Sequence, residues 1–209
     1  MKSENPGISV IAKLPPVIRD DRQYRKTISD KILVCNIGEV DKNAECYGDY
    51  RLNITNSDSI DFYSSFKRLT LSPELNIHEL SKIAEGNEII SYGRLPLMVM
   101  ENCPLKSADK CQNGKITKSL RDRKGQNFLF LCREGCVCEL LNSKPIYMAD
   151  KLSDLTNLKI NALRLIFTVE NFAECGKIIG EYKKALSGKV VMTPPQNTFT
   201  RGHFYRGTE

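Results

Sequence analysis

The chain has 209 residues, 41% of them apolar and 27% charged, with eight cysteines and a net charge of +6. The apolar share supports a packed core, and the cysteines fall well below the density of a disulfide scaffold. MKSENPGISV offers no apolar leader and no run approaches the ~20 apolar residues of a membrane span, so the expectation is a cytoplasmic protein without a membrane partner.

In chain order, GISVIAKL (Gly7–Leu14) and KILVCNIG (Lys31–Gly38) read as buried strands, with a proline-led helical stretch between them. DYRLNITN (Asp49–Asn56) reads as a third strand, followed by the helical SIDFYSSF, and Arg68–Leu71 as a short fourth. SPELNIHELSKIAEG has Ser72 as a candidate N-cap and Gly86 as a stop. EIISYGRLPLMVM (Glu88–Met100) reads as a fifth extended segment. After a long break come a strand, ALRLIFTV (Ala162–Val169), and an amphipathic helix, ENFAECGKIIGEYKKALSG, ending at Gly188.

Strand and helix alternating at this spacing predict an α/β fold with a largely parallel sheet. A closed (β/α)8 barrel needs eight strands over ~250 residues. The expectation is therefore a partial TIM-like (β/α) barrel, its C-terminal portion, although a small open α/β sheet fits the pattern equally well. The boundaries read as βα units over 1–102, a cysteine-rich insertion after a barrel strand over 103–149, the last strand and helix over 150–188, and a tail over 189–209. Such a partial barrel has open sheet edges, so its expected partner is a missing N-terminal half or a second copy of the chain.

The insertion reads as a long irregular stretch, and long irregular stretches inside a domain are usually functional. It carries Cys103-x7-Cys111, then Cys132-x3-Cys136-x-Cys138. No CxxC pair and no histidine occurs there, which favours an iron–sulfur cluster over a zinc ribbon. Free buried cysteines behaving as small hydrophobes are the alternative. Cys35 lies in an apolar strand run and reads as core, Cys46 reads as incidental in a polar loop, and Cys175 as either core or a late ligand.

Several segments occur in a familiar order: DYRLNITNSDS, FKRLTLSPELNIHEL, ISYGRLPLMVMENCP, LRDRKGQNFLFLCREGC, LNSKPIYMADKL, RLIFTVEN and FTRGHFYRG. Together they resemble the U-thirty-two, or collagenase-like, peptidase family over about Gly7 to Gly207. YGRLPLM, DRKG and RGHFYRG are most similar to the branch that includes bacterial ribosomal RNA hydroxylases. The resemblance implies a TIM-like barrel and a 4Fe-4S cluster. It implies Cys103 and Cys111 as the first ligand pair, with one residue more than the family spacing, and Cys132 and Cys136 as the second. Cys138 and Cys175 are the alternates.

Two functions follow as expectations. One is a cluster-dependent enzyme hydroxylating an RNA base, for which the mildly basic pI near 8.8 leaves room. Its candidate RNA-facing groups are Arg94, Arg121, Arg123, Lys124, Arg201, His203 and Arg206, with Phe204 or Tyr205 available to stack on a base. The other is the peptidase of the family name, for which neither HExxH nor GxSxG is present. A non-catalytic barrel fragment is a third possibility.

Overall fold

The computed structural model describes residues 7–13, 17, 29–101, 103–107, 117–132 and 137–207. It is a mixed α/β structure that divides into two compact units. One comprises Met1–Ile90, Ser153–Arg164 and Gly202–Glu209, and the other Ser91–Leu152 and Leu165–Arg201. Among the described residues no helix is long and apolar enough to cross a membrane.

In the first unit, β1 (Ala12–Lys13), β2 (Lys31–Val34), β3 (Glu45–Gly48) and β4 (Arg68–Leu69) lie side by side in chain order. Each neighbouring pair is parallel, with Lys13 beside Leu33, Val34 beside Gly48, and Gly48 beside Leu69. A parallel bridge between Thr70 and Glu88 carries the order on to β5 (Glu88–Gly93). Parallel neighbours in chain order require a crossover between each pair. The helices α1 (Ser57–Phe62) and α2 (Ile77–Leu80) lie in two of these crossovers. Among the described residues the strands form an open run, not a closed ring. Ile32, Val34 and Cys46 form a core beneath them, joined by Leu52 and Phe66.

The third strand is not where its sequence suggested. Asp49–Asn56 is a turn segment: the Asp49 side chain caps a 3-10 turn over Tyr50–Leu52, and Asn53 closes it at φ 53°. Asp and Asn favour such caps and left-handed positions because their short side chains bond the local backbone. Within it Ile54 forms a single parallel bridge to Leu71. The strand lies just upstream, in ECYG, and buries Cys46, which is a core residue and not a loop cysteine. Asn36 likewise ends β2 by capping the turn Ile37–Glu39. Helix α2 starts at Asn76 instead of Ser72, through a capping box with Glu79. Most of the expected helix after Leu14 lies outside the described residues.

The expected single segment Glu88–Met100 divides at Gly93. Gly93 has φ 126°, and a Cβ there would collide with the Ile166 carbonyl oxygen, so glycine is required. The chain then turns, and β6 (Pro96–Met100) joins a different sheet. That sheet has the order β6-β9-β8-β7, with β7 (Thr117–Arg121), β8 (Asn127–Cys132) and β9 (Cys138–Leu141), and every pair is antiparallel. Among its described residues, the cysteine-rich stretch is thus mainly sheet, not the irregular segment expected. A three-stranded sheet places β5 between β10 (Ile146–Tyr147) and β11 (Ala162–Ile166).

The remaining helices are α3 (Pro104–Ser107), α4 (Leu152–Thr156) and α5 (Phe172–Leu186). A capping box between Asn171 and Glu174 starts α5. Its one buried residue is Tyr182, whose hydroxyl donates to the Ser91 carbonyl at 2.5 Å and accepts from the Met148 N–H at 3.0 Å. These bonds anchor α5 within the second unit.

Candidate metal centre

The centre is built on one face of the antiparallel sheet. Residues directly opposite on neighbouring strands share a face. Cys132 is opposite Cys138, and Cys138 is opposite Met100. Phe130 and Leu140, opposed one step along, lie on the same face. Cys103 closes over it from the start of α3, where Pro104 stands at the first helical position. The sulfurs of Cys103 and Cys132 are 3.6 Å apart and those of Cys132 and Cys138 are 3.2 Å apart. All three lie within 4.8 Å of one another. Cys103 is 5% exposed and Cys138 fully buried, among Leu105, Phe130, Met100 and Leu140.

The three thiols are not equivalent. The backbone N–H of Lys106 lowers the Cys103 thiol; burial opposes this, and the thiols of Cys138 and Cys132 add to the lowering. Burial raises the Cys138 thiol first, and hydrogen bonding and charge from Cys132 and Cys103 raise it further. Cys103 thus becomes a thiolate before Cys138. Three soft sulfur donors without a histidine suit zinc or an iron–sulfur cluster. As placed, the sulfurs are close to the ~3.8 Å separation of thiolates on one tetrahedral ion with ~2.3 Å bonds.

Of the expected ligands, Cys103 and Cys132 come together, and the alternate Cys138 joins them. Cys111 and Cys136 lie outside the described residues. Cys175 is a free thiol outside the group, with its sulfur 3.9 Å from the Glu170 carbonyl.

No family model matches the chain, and no curated protein or solved structure matches it. The likeness to the collagenase-like peptidase family therefore rests on the sequence segments alone.

The expected RNA-facing residues are spread over several environments. Arg94 is half-buried and donates to the Asn142 carbonyl at 3.0 Å and to that of Ser143. Arg201 forms a two-pronged pair with Asp150 at 2.6 and 2.7 Å, donates to the Tyr147 carbonyl, and lies over the Phe199 ring. Its guanidinium is a bracket inside the second unit. Burial alone would raise the Asp150 carboxyl, but hydrogen bonds from Arg201 and Thr193 outweigh it and hold the group low. His203 and Tyr205 are exposed, His203 bonded to the Gly207 carbonyl and Tyr205 to Asp154. Phe204 is buried, and its carbonyl accepts from the Ile77 N–H. Arg206 is exposed, as are Arg121, Arg123 and Lys124 around the β7–β8 turn.

A second polar cluster, in the first unit, had no sequence signal. Asp49 is fully buried and receives Lys13 at 3.0 Å, the Cys35 thiol at 3.4 Å and Arg164 at 3.7 Å. Glu88 is paired with Arg68 at 3.2 Å and with Arg164, and accepts from the Thr70 hydroxyl at 2.9 Å. Burial, reinforced by Asp49, pushes the Cys35 thiol up to about 12. Cys35 is therefore more than the apolar core residue expected from its strand: it is a neutral hydrogen-bond donor to a buried carboxylate.

Proposed function

We propose that the chain is part of an iron–sulfur enzyme of the collagenase-like peptidase family that hydroxylates an RNA base. The observation that carries this reading is the convergence of Cys103, Cys132 and Cys138 on one buried, all-sulfur site. Cys111 or Cys136 would supply the fourth thiolate of a 4Fe-4S cluster. The run of parallel strands in chain order supports the partial TIM-like barrel implied by the family.

A bound cluster would supply one-electron redox chemistry. The protein's own contribution is to keep that site dry and oriented. Leu105, Phe130 and Leu140 exclude water, and the Lys106 N–H favours the thiolate at Cys103. The peptidase alternative gains less support from the described residues. Cys35 donates to Asp49 and its thiol is raised, the reverse of an activated nucleophile.

A second reading, a structural zinc site, is favoured by the 3.2 and 3.6 Å sulfur separations. The two readings differ in product. RNA nucleosides from cells carrying the protein should include a base heavier by one oxygen atom by mass spectrometry, and cells carrying Cys132→Ser should lack it. Identical nucleoside profiles in both would overturn the hydroxylase reading.

A further inference from the structure

We infer that the cysteine-bearing face of the β7–β8 hairpin is a docking strip for single-stranded RNA, gripping the backbone at the turn and leading a base toward the metal centre. This inference rests on the RNA reading above and names the element that would hold the substrate.

The first observation is charge. Between Lys118 and Asn127 the hairpin carries Lys118, Arg121, Arg123 and Lys124 against one acid, Asp122. All four cations are exposed. The Asp122 carboxylate is engaged within the turn, accepting from the N–H groups of Lys124 and Gln126, each at 2.8 Å. Gly125, at φ 78°, lets the turn close over Arg121. The acid therefore shapes the turn, while the cations project to solvent as a target for phosphate.

The second observation is the face. Lys118 is opposite Phe130 and Leu120 is opposite Phe128. The alternation of a strand puts Lys118, Leu120, Phe128 and Phe130 on the same face as Cys132 and Cys138. Phe130 is buried in the cysteine cluster, whereas Phe128 is only partly covered and Leu120 is 42% exposed. Walking from the turn toward the metal centre, a bound strand would meet cations, then an accessible aromatic and an aliphatic surface, up to the edge of the buried thiol group. The four residue steps from Phe128 to Cys132 span about 13 Å, the length of a few nucleotides. Base-on-aromatic stacking with backbone contacts from lysine and arginine is the general mode for single strands. Among the described residues β7 is the outer strand of its sheet, so this approach is not covered by another strand.

Charged residues on an outer strand also guard against strand-to-strand aggregation, and the test separates the two roles. Binding of a fluorescent single-stranded RNA to the full chain is measured by anisotropy over a range of salt, with metal content as the control for folding. Replacing Lys118, Arg123 and Lys124 together with alanine should flatten the slope of log K against log salt by about 2, since each phosphate contact contributes ~0.7. At 0.1 M salt that is about 100-fold weaker binding if the two proteins converge near 1 M. Phe128→Leu should weaken binding about tenfold, and Phe128→Tyr should restore it, because stacking needs only an aromatic face.

If wild-type protein binds RNA and the triple variant binds it equally at every salt, the hairpin inference fails while the RNA reading stands. If wild-type protein binds no RNA, both fail. A triple variant that binds normally but self-associates identifies the cations as an edge guard and overturns the docking role. Preference for duplex RNA, indifferent to Phe128, overturns the single-strand assignment.

Discussion

Cys132→Ser should strip the metal from the protein. Cys132 is the middle thiol of the group, within hydrogen-bonding reach of both Cys103 and Cys138. Loss of partners outside the first coordination sphere already costs ~10–100-fold in metal affinity, and loss of a direct ligand should exceed that. Cys175→Ser, outside the group, should keep full occupancy. Metal content by elemental analysis decides between these outcomes, and retention by Cys132→Ser with loss by Cys175→Ser would move the centre elsewhere. The pH dependence has a definite sign. The Cys138 thiol is raised by burial and by its neighbours, and metal binding must expel its proton. Affinity should therefore rise with pH, and acid should release the metal.

Glu88→Ala should strongly destabilise the first unit. The Glu88 side chain is 8% exposed and balances Arg68 and Arg164, themselves 27% and 17% exposed. Removing the carboxylate takes away the anion that two partly buried guanidinium groups share, leaving Arg164 its 3.7 Å contact with Asp49, and breaking a buried pair in this way typically costs about 3–5 kcal/mol. For a chain of this size 1 kcal/mol moves the melting temperature by about 2–4 °C, so a drop of about 6 °C or more is expected. Glu88→Gln should recover part of the loss, because an amide oxygen can still accept from Thr70. A melting temperature for Glu88→Ala within about 2 °C of wild type would show that the network contributes little to stability.

The contrast between these two sites explains what the sequence could disclose. The thiols were legible because cysteines crowded into a short span rarely lack a shared role. The sequence could not show that Cys138 meets Cys103 and Cys132, since that depends on cross-strand register. The Asp49–Arg164–Glu88 network was invisible because its members come from distant segments, and each alone resembles a surface charge.

Strands β2 and β5 were legible as apolar runs. Strand β3 was not, because its four residues sit between polar turns and the neighbouring DYRLNITN looked more strand-like. The β7–β8 hairpin carried a signal that went unused: NFLFLC has the apolar and aromatic bias of a strand, and DRKG has the acid-to-glycine pattern of a turn. The expectation of an irregular insertion obscured both. The division at Gly93 depends on close approach to Ile166, a contact that sequence alone does not reveal.

The central claim is that the thiols of Cys103, Cys132 and Cys138 belong to an iron–sulfur site, and metal composition tests it most directly. The full chain would be purified without oxygen and assayed for iron, zinc and acid-labile sulfide. Brown protein with iron and sulfide in equal amounts, both lost in Cys132→Ser, is the predicted result. Colourless protein holding zinc without sulfide, or holding no metal, would contradict it.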